Sequence, residues 1–258
     1  MTAFAALDAE LALWAEAGRR ASFWWRDDDA GADSPALARL LALAERHAAP
    51  LALAVIPLRL EKPATARIEA TRHVTVLQHG LRHENRAGAG AKKCEFPARL
   101  PLDAMLAELD HGRALLDSAF DGRALPVLVP PWNRLAPALI PALASTGLHG
   151  LSSYGPRSST QAAPGVRQVN CHVDPIDWRG TRGFIGEPNT VNLVCAHLAA
   201  RRTGAADADE PTGLLSHHST HDEACWMFFD QILHRLTHHA AACLMAPARL
   251  FPGAAIER

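Results

Sequence analysis

The chain has 258 residues, of which 48% are hydrophobic and 21% charged, and its formal net charge at pH 7 is -1. That size and balance suit a soluble globular protein of one large domain or two small ones. The near-zero charge excludes an overall basic field for nucleic acid, and no run reaches the roughly 18 apolar residues of a membrane-spanning helix.

Residues 4–19 read as an amphipathic helix. Asp8, Glu10 and Glu16 interrupt its apolar run, which argues against a signal peptide and for a cytoplasmic protein. The five cysteines are scattered and form no CxxC pair, as expected of packing thiols in a reducing compartment. Next comes a strand, "SFWWRD", that runs into Asp27, Asp28 and Asp29. Residues 34–49 form a helix with Ser34 as N-cap and Pro35 in the first turn.

Strands follow at 51–57 and 73–79, then a helix at 101–120 and a strand at 126–131 that ends in prolines. "LAPALIPALASTG" reads as a helix stopped by Gly147. "HGLSSY" and "RQVNCHV" are two further strands. A helix at 189–202 capped by Asn189, a strand at 212–218 and a helix at 222–239 complete the series. Seven apolar strands, mostly separated by helices, describe an α/β protein whose parallel strands are covered on both faces. A (β/α) barrel of seven or eight units fits the length as a single domain, with an open doubly wound sheet as the alternative.

The polar clusters fall at the C-terminal ends of these strands, where barrel enzymes keep their sites. They are Asp27–Asp29, "QHGLRHEN", "VPPWNR", "CHVDPIDW" and "LLSHHSTHDE". His79 and His83 are four residues apart, a spacing that lets two imidazoles meet one ion. An HxxxH alone more often marks two surface histidines. Beside an aspartate cluster it points instead to a three-ligand catalytic metal site. The loop at 88–96, with Gly88 and Gly90, places Lys92, Lys93 and Glu95 either at the mouth of that site or in solvent.

"WRDDDAG", "HGLRH", "VPPWN", "DPIDW" and "LLSHH" resemble, in this order, the five motifs of the polysaccharide deacetylases of carbohydrate esterase family four. The resemblance spans about residues 20–220. It implies a distorted (β/α)7 barrel, here with an extra N-terminal helix and a core at about 20–240. It also implies a divalent cation, zinc foremost, with cobalt, manganese or nickel as substitutes, held by Asp29, His79 and His83.

The same resemblance makes Asp28 the general base and His217 or His218 the general acid; strand alternation admits only one of the pair, His217 by preference. Trp132, Asn133 and Trp178 become substrate contacts, with Lys93 and Glu95 at the mouth, and Asp177 tunes a neighbour. The chain departs from the motifs at four places, the first being Arg26, where a small hydroxyl residue is usual. Gly80 stands where a hydroxyl residue is usual, Val129 stands where an arginine orients the base, and Asp27 stands at an apolar position. Arg26 or Arg134 is the candidate replacement for the arginine, and Asp27 is expected to face away, toward an arginine.

The implied reaction is hydrolysis of an N-acetyl group on a small carbohydrate, with no nucleic-acid or membrane partner. Hydrolysis of a non-sugar C–N bond and a degenerate, non-catalytic barrel are the alternatives.

Overall fold

The computed structural model describes residues 3–252. Its elements are α1 (Ala3–Glu16), β1 (Ala21–Ala30), α2 (Pro35–Arg46), β2 (Leu51–Val55), α3 (Lys62–Glu69), β3 (Val74–His79), α4 (Leu102–Ala119), β4 (Val127–Val129) and β5 (Gly150–Leu151). They continue as β6 (Gln161–Ala163), β7 (Val166–Gln168), α5 (Glu187–Thr203), β8 (Thr212–Ser216), α6 (Glu223–His238), β9 (Ala242–Leu244) and α7 (Pro247–Leu250). Strands β8, β1, β2, β3, β4, β5 and β7 lie side by side and parallel in that order.

The chain beyond β7 closes the ring. Val169 and Cys171 donate to Leu151 and Ser153 beside β5, and Leu215 of β8 donates to the Val173 carbonyl at 2.8 Å. Seven parallel strands thus form a distorted (β/α)7 barrel. The β6–β7 hairpin and β9, which pairs with the start of β1, are additions to it.

Residues of β1 alternate between two cores. Trp24 points into the barrel with Ala52, Ala54 and Leu77. Phe23 and Trp25 point outward under the helices, where Trp25 stacks on Phe229 of α6. The Trp24 indole fits because its neighbour across the strand pair has no side chain. A Cβ on Gly213 would lie 2.5 Å from Trp24 Nε1, 2.6 Å from the Asn170 carbonyl oxygen and 2.7 Å from Cys171 Cα. Two of these are backbone atoms of the closing seam, so Gly213→Ala is expected to cost about 3 kcal/mol or more. Urea denaturation measures this, and an unchanged midpoint would refute such tight closure.

The sequence reading contained no helix at α3 or α7 and no strand at β6 or β9, and three elements that it did contain differ in form. The helix expected through Gly147 is a 3₁₀ segment over Pro137–Thr146, because Pro141 lacks the N–H that an α-helix needs there. Helix α5 starts at Glu187 rather than at an Asn189 cap, and Asn189 donates its amide to the Ile185 carbonyl instead. Helix α1 stops at Glu16, and Gly18 then turns the chain with φ 66°. No helix among the described residues is long and apolar enough to cross a membrane.

Candidate active site

Strand alternation alone would place Asp28 and Asp29 on opposite faces of β1. A bulge prevents this. The register with β2 shifts between Asp27 and Ala30, and Asp29 adopts φ 74°, a left-handed conformation that aspartate tolerates better than most residues. Both carboxylates therefore reach the C-terminal rim. Asp29 Oδ1 lies 3.0 Å from His79 Nε2 and 3.1 Å from His83 Nε2.

His79 ends β3, and its Nδ1 lies 2.9 Å from the Val129 carbonyl oxygen, which only accepts. That bond fixes the proton on Nδ1 and turns the Nε2 lone pair toward Asp29. Two acceptors at 3.0 Å repel unless a cation sits between them. Burial pushes the His79 pKa down, but the Asp29 hydrogen bond and the Asp28 charge raise it overall. Burial likewise opposes ionisation of Asp29, while the two imidazoles hold its carboxyl well below the usual range. One carboxylate and two imidazoles at this spacing are a donor set that suits a divalent ion such as zinc.

Asp28 faces the barrel axis beside this triad and is buried. Arg26, two residues earlier on the same face, grips it with Nε to Oδ1 at 2.8 Å and Nη2 to Oδ2 at 3.0 Å. The same guanidinium donates to Asn133 Oδ1 at 2.7 Å and Ser152 Oγ at 2.6 Å. Arg26 thus stands where the sequence lacked an arginine at Val129, whereas Arg134 is exposed and does not reach Asp28. Asn133 serves the arginine, and it does so from a left-handed pair, Trp132 at φ 55° and Asn133 at φ 56°. The Trp132 ring packs 4.4 Å from His83, and Lys93 Nζ sits 5.9 Å above the same ring.

The two histidines after β8 separate as alternation requires. His218 turns away from the rim and its Nδ1 lies 2.5 Å from Asp27 Oδ1; Asp27 also accepts from Ser216 Oγ at 2.6 Å. The expected arginine partner of Asp27 is therefore replaced by His218 and Ser216. Burial disfavours charge on both members of this pair, but their mutual attraction lowers the Asp27 pKa and raises that of His218. His217 faces the rim, with its ring 4.8 Å from Trp178.

Two expected site residues are elsewhere. Asp177 is not beside the histidine: it is half-buried and its carboxylate accepts the N–H groups of Arg179, Gly180 and Thr181 in a turn. Asp174 takes that place, since Trp178 Nε1 donates to its Oδ2 at 2.7 Å. Burial raises its pKa and the nearby His217 opposes the rise. The signal was present in "DPIDW", which offers two aspartates three residues apart.

Glu95, expected to meet substrate, is fully buried and accepts from the N–H groups of Leu81, Arg82 and His83. A Cβ on Gly80 would come within 2.0 Å of Glu95 Oε2. The carboxylate thus fills the space of the missing side chain at 80 and holds the loop that presents His83.

A second buried group, His172, His197 and Glu210, also brings three metal-type donors together. Its proton positions argue against an ion. His172 Nδ1 accepts the Gly213 N–H at 3.0 Å, so the neutral ring carries its proton on Nε2, toward Glu210 Oε2 at 3.3 Å. His197 stacks 3.5 Å from His172, and burial together with that neighbour pushes its pKa down to about 3. The unfolded chain, with a histidine near 6.5, binds this proton first. His197 thus contributes stability that is complete above about pH 6.5 and is lost as pH falls toward 3. His218, with its raised pKa, contributes in the opposite sense. His197→Gln is expected to make stability at pH 5 more favourable, relative to pH 7, than in the unsubstituted chain. Urea midpoints at the two pH values would refute this if the difference were unchanged.

No family model matches the chain, and no curated protein matches it in sequence. Solved structures do match. A Mycobacterium smegmatis protein assigned as a polysaccharide deacetylase is 15% identical, with a TM-score of 0.66, over 92% of this chain and 91% of that one. A family 4 acetyl xylan esterase from Clostridium thermocellum, solved with a cobalt ion, is 14% identical, with a TM-score of 0.52, over 89% and 90%. A family 4 carbohydrate esterase pseudoenzyme from Bacillus anthracis is 12% identical, with a TM-score of 0.57, over 90% and 66%. The chain shares the fold of the polysaccharide deacetylases and family 4 carbohydrate esterases.

Proposed function

We propose that this barrel is a metal-dependent hydrolase that removes an N-acetyl group from a carbohydrate. The observation that carries the reading is the meeting of Asp29, His79 and His83 beside a separately held carboxylate, Asp28. A divalent cation in that triad, zinc by donor type, supplies Lewis acidity to the amide carbonyl and to water.

The chain's own residues do the rest. Arg26 aims Asp28 with two hydrogen bonds, so its carboxylate accepts a proton from the attacking water. His217, whose Nδ1 is buried without a partner, delivers a proton from Nε2 to the departing amine. Asp174, held by the Trp178 indole N–H, is the acid near it. Trp132 and Trp178 flank the cleft as apolar walls for a sugar ring.

A second reading, a barrel that binds without turnover, has in its favour Val129 at the arginine position and the shared fold of a pseudoenzyme. Acetate release from a panel of N-acetyl sugars, with and without a chelator, separates the two. Release that the chelator abolishes supports hydrolysis. Metal uptake without release from any sugar or non-sugar amide supports the second reading.

A further inference from the structure

A groove of about 570 Å³ opens next to the candidate site, between the loop at 87–99 and the segment at 133–140. It meets the site at Asn133 and Ser153, both of which accept hydrogen bonds from Arg26. Leu135, Ile140 and Leu151 give it an apolar floor, while Lys92, Arg99 and Arg134 are its charged residues and no Asp or Glu lines it.

These cations are unneutralised. Among the described residues, none of Lys92, Arg99 and Arg134 has a carboxylate within salt-bridge distance, whereas the neighbouring Arg86 is spent on Glu108 at 2.6 Å. Arg134 and Arg99 each donate once to a loop carbonyl, those of Lys93 and Arg86, which positions them without cancelling their charge. Lys93 extends the cationic edge to Trp132 and so to the triad. Glu95, the one acid in the loop at 87–99, is buried on backbone N–H groups and offers the groove nothing. The charged side chains that line the groove are therefore all cationic.

We propose that this groove binds an anionic group of the substrate, a phosphate or carboxylate carried by the sugar away from its acetamide. The inference rests on the deacetylase reading for which end of the substrate enters the site, but its test does not require turnover. Guanidinium and ammonium donors bind such oxyanions through charge-assisted hydrogen bonds, and the apolar floor excludes competing water.

The product-side sugars glucosamine, glucosamine 6-phosphate and muramic acid bind without being hydrolysed. Calorimetric titration of the zinc-loaded full chain with each should show an anionic sugar binding about tenfold more tightly than glucosamine. Preference for the phosphate or for the carboxylate identifies the source. Lys92→Gln combined with Arg134→Gln should erase the preference, and Arg19→Gln, an exposed cation just before β1 at the opposite end of the strands, should keep it. Both substituted groove residues are exposed, so folding is not at risk, and thermal melts verify it.

Equal affinity for neutral and anionic sugars would overturn the proposal. So would a preference that survives the double substitution, because the anion would then sit on the metal. Failure of every N-acetyl sugar to release acetate would count against the deacetylase reading and would leave this binding result standing.

Discussion

Asp28→Asn is expected to lower acetate release by about 10²–10⁴-fold, because an amide cannot take the proton from the attacking water. The substitution also breaks a buried pair in which the Arg26 side chain is 0% exposed and the Asp28 side chain 3% exposed. Removing one partner of such a pair typically costs about 3–5 kcal/mol, so lost activity could reflect lost fold. Two measurements separate these causes. The three residues Asp29, His79 and His83 do not include Asp28, so metal content should stay near the level of the unsubstituted chain. Arg26→Met should destabilise comparably yet retain the carboxylate and part of the activity. Full activity in Asp28→Asn would remove Asp28 from the mechanism.

The second large effect distinguishes the adjacent histidines. His217→Ala removes a ring that meets Trp178 edge-on at the rim and makes no ion pair among the described residues, so it should cost little stability and about 10²–10⁴-fold in rate. His218→Ala strands Asp27, which is fully buried and, among the described residues, ion-paired only to that histidine. It should cost about 3–5 kcal/mol, with activity falling only as the fold does. Denaturation midpoints and initial rates on both variants check this. The reverse pattern, an unstable His217→Ala and a stable, inactive His218→Ala, would exchange the two roles.

Much of this site was legible in the sequence because it sits at strand ends. An apolar run that stops in Asp27–Asp29, or in "QHGLRH", marks both the strand and its rim, and a parallel barrel brings the rims together. Alternation correctly separated His217 from His218 and Asp27 from Asp28. It also contained the answer to the missing arginine, since Arg26 and Asp28 share a face by the rule of two.

What was hidden depended on backbone irregularity or on distant partners. The bulge that returns Asp29 to the face of Asp28 has no residue signature beyond an aspartate able to adopt a positive φ. The use of Glu95 as a loop anchor arises only when residues 80–83 fold against it. The 3₁₀ segment could have been read from Pro137 and Pro141, four residues apart in an apolar run that otherwise looks helical. The closure through residues 169–173 is a non-local pairing that no local pattern encodes.

The proposed chemistry depends on a divalent ion held by Asp29, His79 and His83. Anomalous diffraction at the zinc edge, from crystals of the chain loaded with one equivalent of zinc, tests it most directly. A single peak is expected about 2.0–2.2 Å from Asp29 Oδ1, His79 Nε2 and His83 Nε2, with none at His172, His197 and Glu210. A peak at the second cluster alone, or none at the first, would contradict it.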